Sequence, residues 1–403
     1  MDTENVNNYN KKSVTDISVS GKKVLLRCDF NVPVDKETGK ITDVGRITAA
    51  LPTIKYLIGQ GAAVIACSHF GRPKGEFNPE FSLAPVAENL SEQLGMPVKM
   101  AKDVIGPDAT KLASELKPGE VMLLENTRFH KEEEKNDPEF AKKLASMADI
   151  FVSDAFGSVH RAHASTEGVS HYLPAVAGFL LKKELDSIGG AISAPKRPLV
   201  AILGGAKVSD KLGVIGNLLT KADAVIIGGG MAYTFFKAEG GMIGNSLCED
   251  SELGAVLEMK QEAKARGVKL LLPVDSIAAA EFSNDSHPVI VGSGAIPDGM
   301  MALDIGPRAI EEFIGEIKTA GTIVWNGPMG VFEFSNFAEG TRAVAQAVAD
   351  SGAISVIGGG DSAAAIRKFG LEDKITHIST GGGASLEFME GKVLPGVACL
   401  LDA

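Results

Sequence analysis

The sequence predicts an α/β protein made of two doubly wound, Rossmann-like domains with parallel sheets, joined by a long hinge helix. Three observations carry this. Short β-branched runs alternate with helix-length segments along almost the whole chain. Several of those runs are apolar from end to end rather than alternating, the pattern of strands buried on both faces of a parallel sheet. A chain of 403 residues is also too long for one ordinary core.

The strand candidates before position 160 are KVLLRCDF, AAVIACSHF, VMLLENTRF and DIFVSDAF. After position 195 they are PLVAILGG, DAVIIGGG, VKLLLPVD, GTIVWNGP, ISVIGGG and ITHIST. Between them lie helix-like stretches such as TAALPTIKYLIGQG, PEFAKKLASMAD, SELGAVLEMKQEAKARG and FAEGTRAVAQAVADSG, several of which end at a glycine, as helix C-termini often do. These strands are too many for one comfortable open sheet. The stretch LPAVAGFLLKKELDSIGGAI reads as a long helix with glycines at its far end, followed by the turn-rich SAPKRP. The domains are therefore set at 1–177 and 194–392, with the hinge helix at 178–193. Alone, the apolar tail GKVLPGVACLLDA reads as a last strand or helix of the second domain.

Composition narrows the function classes. Hydrophobic residues make up 45% and charged residues 23%, as in a globular protein. A net charge of -11 argues against a general nucleic-acid binder, which needs a basic face. Cys28, Cys67, Cys248 and Cys399 stand far apart with no C-x-x-C, which suggests neither a zinc site nor a redox pair. The polar start MDTENVNNYNKKS has no apolar signal core, and no apolar run approaches the ~20 residues of a membrane helix. The expectation is a soluble cytoplasmic protein without nucleic-acid or membrane partners.

In open parallel sheets, ligands sit beyond the carboxyl ends of the strands. In the first half those positions carry Asp29, Asn31, Arg46, His69, Arg72, Arg128, His160, Arg161 and His163. Any one such arginine is more often a surface ion pair. Four arginines at one edge of an acidic protein point to an anion pocket, since the guanidinium fork suits phosphate and carboxylate. A metal site on His160 and His163 is the competing reading, but no carboxylate or cysteine stands at supporting spacing.

In the second half the strand ends are glycines. ILGGAKVSDKLG carries Gly204 and Gly205, then Lys207 and Lys211 at i, i+4, read as one face of a starting helix. The triplets Gly228–Gly230, Gly358–Gly360 and Gly381–Gly383 each stand between an apolar run and a helix-like stretch. Bare backbone N–H groups at a helix start bind phosphate oxygens, although glycines also simply permit tight turns. Three triplets at one edge, with two lysines and Asp361, favour a polyphosphate. The Walker pattern is absent: the Gly-Lys pairs are followed by Lys23, Ile41 and Val393. The dinucleotide fingerprint fails as well, because GSGAIPDG has Pro297 where the third glycine belongs. One domain for a small polyanion and one for a nucleotide is a layout for phosphoryl transfer, with Asp361 as a natural Mg²⁺ contact.

The strings RCDFNVP, SHFGRP, LENTRFH, DAFGSVHRAHAST, GGAKVSDK, GGGMAYTF, VWNGPMGVFE, GGGDSAAA and STGGGASLE span essentially the whole chain. In order and spacing they closely resemble the phosphoglycerate kinases. The resemblance implies reversible transfer of the 1-phosphate of 1,3-bisphosphoglycerate to Mg-ADP, giving 3-phosphoglycerate and ATP. It implies that Asp29, Asn31, Arg46, His69, Phe70, Gly71, Arg72, Arg128 and Arg161 bind the phosphoglycerate. Arg46 and Lys207 are implied to stabilise the migrating phosphoryl group, and Gly382 and Gly383 to open a helix that faces it. Gly205, Lys207, Lys211, Gly229, Asn326, Glu333, Gly359, Gly360, Asp361 and Ser362 match the nucleotide side, with Glu333 on the ribose and Asp361 on the metal. The resemblance also implies that the tail 393–403 returns to the N-terminal domain. Two residues depart from the family pattern. Ser362 replaces the usual threonine and keeps a hydroxyl for a cap or phosphate role; Ala302 stands where a glycine is common near the nucleotide. A non-catalytic nucleotide- or phosphometabolite-binding protein on the same fold is the alternative.

Overall fold

The computed structural model describes residues 9–403. It divides into two compact units: the chain up to Asp186 together with Val393–Ala403, and Ser187–Lys392.

The first unit is built on six parallel strands, β1 (Lys23–Arg27), β2 (Ala63–Cys67), β3 (Val98–Met100), β4 (Val121–Leu123), β5 (Ile150–Ser153) and β6 (Ala175–Ala177), in the order β3-β4-β2-β1-β5-β6. The central pair is in register from Lys23↔Ala63 to Arg27↔Cys67. Every residue of β2, β4, β5 and β6 is buried, which explains why these runs lack alternation. The helix Gly45–Gly59 turns Ile47, Ala50, Ile54 and Leu57 inward, at spacings of three and four. These pack with Val24, Leu26, Val64 and Ala66 of the central strands.

The second unit contains β7 (Leu199–Leu203), β8 (Ala224–Ile227), β9 (Met242–Ile243), β10 (Lys269–Leu271), β11 (Asp275–Ala279), β12 (Val289–Gly292), β13 (Ala295–Ile296), β14 (Met301–Ile305), β15 (Thr322–Asn326), β16 (Ile354–Gly358) and β17 (His377–Ile378). Its main sheet is again parallel, β10-β8-β7-β15-β16-β17. Trp325 of β15 is fully buried and donates its indole N–H to the Gly327 carbonyl at 2.7 Å.

The α/β class and the two parallel sheets are as expected. The stretch LPAVAGF is not the start of a helix, however. Ala175–Ala177 is the edge strand β6, and the helix begins at Phe179 and runs to Ser193. The division between Asp186 and Ser187 falls inside it. Asp154, just past β5, is buried and accepts the Leu181 amide at 3.2 Å, satisfying one N–H of the helix start. Burial pushes its carboxyl up to about 6, against the hydrogen bonds from Thr53 and the helix amides. The sequence reading also misses β3 and the antiparallel sheet β12-β11-β14. The β3 run has only three residues, and β12 is largely exposed, so neither shows the unbroken apolar run of a strand buried on both faces.

Residues 393–403 lie with the first unit. Leu401 donates its amide to Ala175 of β6 at 2.9 Å and accepts from Lys12 at 2.8 Å. The Gly396 amide donates to the Val159 carbonyl at 2.8 Å. Buried Lys11 is paired with Asp402 at 2.6 Å. No helix among the described residues is long and apolar enough to cross a membrane.

Candidate active site

In the first unit the predicted residues gather beyond the carboxyl ends of β1, β2 and β4. Arg46, in the first turn of the helix Gly45–Gly59, donates through Nη1 to Asp29 Oδ1 at 3.0 Å and to the Asn31 carbonyl at 2.8 Å. The Asn31 side chain accepts the Gly71 amide at 2.9 Å, and Arg128 Nη1 donates to the Gly71 carbonyl at 3.1 Å. Arg46, Asp29, Asn31, Gly71 and Arg128 thus form one connected shelf. Arg46 stays half exposed on it. Asn126, fully buried, props it from beneath: its amide brackets Phe70 N and O at 3.1 and 2.6 Å and accepts the Arg128 amide at 3.0 Å.

Positive charge is concentrated here. His69 is buried, and burial together with the charges of Arg27, Arg128, Arg46 and His163 pushes its pKa down to about 2. Burial likewise lowers Arg128, reinforced by Arg27 and Arg72 and opposed by Glu134. Arg72 therefore belongs to the cluster through its field. Arg161 is exposed in the loop after β5, where the Thr166 hydroxyl donates to its carbonyl at 2.9 Å. Among the described residues, no hydrogen bond or ion pair joins its side chain to the shelf.

A neutral His69 has a consequence for stability. The unfolded chain binds a proton near pH 6.5, whereas the folded site does not until about pH 2. Its contribution is thus intact above pH 6.5 and is withdrawn as the pH falls. Between pH 6.5 and 5 the wild type should lose stability relative to His69→Gln with a slope approaching about 1.4 kcal/mol per pH unit. Urea unfolding of both proteins across that range measures the difference.

In the second unit, Gly205, Gly229, Glu333 and Asp361 line a cavity of about 510 Å³. Its apolar wall includes Tyr233, Leu247, Phe282, Leu303 and Met329. Ala302 lines it too, its amide donating to Ser246 Oγ at 2.9 Å. At the end of β15, buried Asn326 accepts from Lys211 Nζ. Burial lowers the Lys211 ammonium, while Asp210, Asp361 and Glu390 pull it back up. Lys211, Asn326 and Asp361 are thereby brought together, and Gly359 (φ 93°) lies against the Asn326 side chain. Gly382 and Gly383 stand at the N-cap and first residue of the helix Gly383–Met389, as expected. Neither they nor Lys207 line the cavity.

Two sequence expectations are corrected here. Lys207 and Lys211 do not share a helix face, because the helix begins only at Leu212. The turn before it is held by Ser209, which donates through its amide and hydroxyl to Glu249 at 2.9 and 2.6 Å, and by the burial of Val208. Nor does Ser362 cap its helix. The N-cap is Gly359, and the Ser362 hydroxyl accepts the Gly327 amide at 2.6 Å, latching the turn after β15. Ser362→Ala should therefore cost about 1–3 kcal/mol in urea unfolding, the penalty for stranding a buried N–H.

Comparison with known proteins places the whole chain in one family. The family model for phosphoglycerate kinase matches residues 14–392. The chain belongs to the phosphoglycerate kinase family. The chain is 58% identical to a phosphoglycerate kinase of Clostridium botulinum (strain Langeland) over 98% of its own length and 100% of that protein. It is 58% identical to one from Clostridium novyi, over 98% and 99%. Its fold is similar to the solved phosphoglycerate kinase of Coxiella burnetii, with a TM-score of 0.91 at 46% identity, covering 96% of this chain and 98% of that one. The enzyme from Pyrococcus horikoshii gives 0.76 at 36% identity, with the same coverage.

Sequence reasoning within the phosphoglycerate kinase frame missed several residues. Arg27 lies inside a strand candidate, where nothing marks its side chain as different from its neighbours. Of the apolar wall of the cavity, Leu247, Phe282 and Leu303 came from segments that were not anticipated, whereas Tyr233 and Met329 stand in GGGMAYTF and VWNGPMGVFE. Asn126 stands in LENTRFH beside Arg128 and could have been found as an amide following a strand.

Proposed function

We propose that the chain catalyses reversible phosphoryl transfer from 1,3-bisphosphoglycerate to ADP, giving 3-phosphoglycerate and ATP, with the phosphoglycerate on the first unit and the nucleotide on the second. The observation that carries the assignment is the shelf of Arg46, Asp29, Asn31, Gly71 and Arg128, which presents guanidinium groups at one sheet edge of an acidic protein. Asp29 orients Arg46, while Arg128 and Arg72 add charge to the pocket, that of Arg128 partly offset by Glu134 at 3.7 Å. Guanidinium forks hold phosphate and carboxylate in fixed orientation, which serves the positioning that phosphoryl transfer requires. The acceptor towards ATP synthesis is a carboxylate, already ionised near neutral pH, so no general base is needed.

On the nucleotide side, the apolar cavity suits a flat base, with Glu333 at its rim for ribose hydroxyls. Lys211 and Lys207 supply charge for phosphates, and Gly360, with open space where a Cβ would stand, lets an oxygen approach the backbone. Asp361 is an exposed carboxylate lining the same cavity, and the hard oxygen donor fits Mg²⁺. When bound, Mg²⁺ neutralises charge on the nucleotide phosphates.

The helix Phe179–Ser193, which spans the division between the units, serves as the hinge in this reading. Small-angle scattering should show a smaller radius of gyration with both substrates than without; identical profiles refute the hinge. The protein is read as a cytoplasmic monomer, which sedimentation tests. A coupled assay with Mg-ATP and 3-phosphoglycerate tests the activity. Turnover no higher than that of Lys207→Ala would sink it in favour of a non-catalytic binder, for which the relatives give no support.

A further inference from the structure

Arg27 is the last residue of β1 and is 1% exposed, although arginine is almost never fully buried without partners. Its guanidinium has three. Nε donates to Ser165 Oγ at 2.8 Å, Nη1 donates to the Cys28 carbonyl, and Nη2 lies 3.0 Å from His69 Nδ1. Ser165 passes the contact on. Its hydroxyl donates to Glu133 Oε2 at 2.7 Å, and its amide donates to Oε1 at 2.7 Å. Glu133 is 1% exposed, and its own carbonyl accepts the Ala164 amide at 2.9 Å. A buried anion and a buried cation are thus bridged by one hydroxyl, and the bridge ends on a histidine of the anion pocket.

The chemistry of these groups fixes the proton on that histidine. Guanidinium is a donor only, so the ring nitrogen facing it must accept. His69 Nδ1 is therefore unprotonated, and the ring's one proton sits on Nε2. Neither Lys at position 27 nor an apolar residue could meet all three partners, because the fork geometry is particular to arginine. The same bridge fastens the loop behind Ser165, since Glu133 holds residues 164 and 165 by their backbone amides. That loop also carries His163.

We propose that Arg27, countercharged by Glu133 through Ser165, is a positioning residue that holds His69 as a neutral Nε2–H donor for the phosphoglycerate. The proposal rests on the assignment of the phosphoglycerate to the first unit. It adds to that assignment by requiring the pocket to offer a neutral hydrogen-bond donor among its charged ones. An imidazolium would attract any anion; a fixed neutral donor selects by geometry instead.

The first test needs no variant. Nitrogen-15 labelled wild-type protein, free of ligand at pH 7, should show His69 with one protonated and one bare ring nitrogen, the proton on Nε2. An imidazolium, or a proton on Nδ1, overturns the proposal. The second test is binding of 3-phosphoglycerate by calorimetry. Arg27→Met should raise its Kd on the order of tenfold, the size of one lost hydrogen bond to a charged group. Binding of Mg-ATP should be unchanged, and the Nε2–H signature should be lost. Arg27→Lys keeps the charge but not the fork, and should restore folding stability more than affinity. If Arg27→Met does not fold, Arg27→Lys carries the comparison, and a Kd equal to wild type in either folded variant overturns the proposal. A wild type that binds no 3-phosphoglycerate at all brings down the functional reading itself. Wild-type affinity kept by a folded variant brings down this proposal alone.

Discussion

Replacing Arg46 with alanine should lower kcat by about two to three orders of magnitude while changing the KM for 3-phosphoglycerate far less. The expectation follows from how Arg46 is held. It is half exposed, and its Nη1 is already occupied by Asp29 and Asn31, so the protein orients it before any substrate arrives. A pre-oriented charge is most effective where new charge develops, which in phosphoryl transfer is on the transferring group. On the proposed assignment of the phosphoglycerate to this pocket, Arg128, Arg72 and His69 remain in the variant to bind the ground state. Steady-state kinetics in both directions separate the two parameters. An unchanged kcat with a large rise in KM would assign Arg46 to substrate binding and refute the transition-state role.

Gly327→Ala should destabilise the second unit by about 3–5 kcal/mol, at the upper end of what single substitutions do. Gly327 has φ 100°, which disfavours any side chain. A Cβ there would also strike the Gly204 carbonyl, with Gly204 Cα 3.0 Å away. The obstacle is backbone, which cannot swing aside. Gly204 faces the reverse problem, since its own Cβ would run into the Pro328 carbonyl. The ends of β7 and β15 therefore touch main chain to main chain. Gly360→Ala makes the informative contrast: nothing lies within 4 Å of its Cβ position, and it stands in a helix. Its stability should stay within about 1 kcal/mol of wild type, while nucleotide affinity falls if a phosphate approaches there. Chemical unfolding of both variants decides whether the two glycines differ as argued.

That contrast shows what could be read from the sequence and what could not. The strands and the edge bearing the site were legible because a parallel sheet buried on both faces writes unbroken apolar runs, and the residues after them face the ligand edge. Asp29, Asn31, Arg46 and Arg128 were read off that edge in this way, whereas Gly71 came only from the family resemblance. The glycine triplets were legible as turns but not as individual roles. Gly229 packs 2.6 Å from the Gly205 carbonyl at its would-be Cβ, whereas Gly360 meets nothing; no local pattern distinguishes them, because the difference lies in a neighbouring strand end. Ser362 looked like a cap because it follows a glycine turn, yet its partner is Gly327, thirty-five residues away. Arg27 was hidden for the same reason. Its side-chain partners Ser165 and His69, and Glu133 behind Ser165, come from three other segments, and a cation inside a strand candidate gives no sign of them.

The return of residues 393–403 to the first unit bears on how the protein is made. A ribosome delivers Leu401, which pairs with β6, and Gly396, which holds Val159, only after the whole of Ser187–Lys392 has emerged. The first unit is therefore begun early in translation and closed late, and it must wait with the edge strand β6 and the loop at Val159 lacking these partners while the second unit folds. A nonsense mutation near codon 393 would leave every nucleotide-side residue in place, and its damage would fall at the far end of the gene's product, beside Arg161.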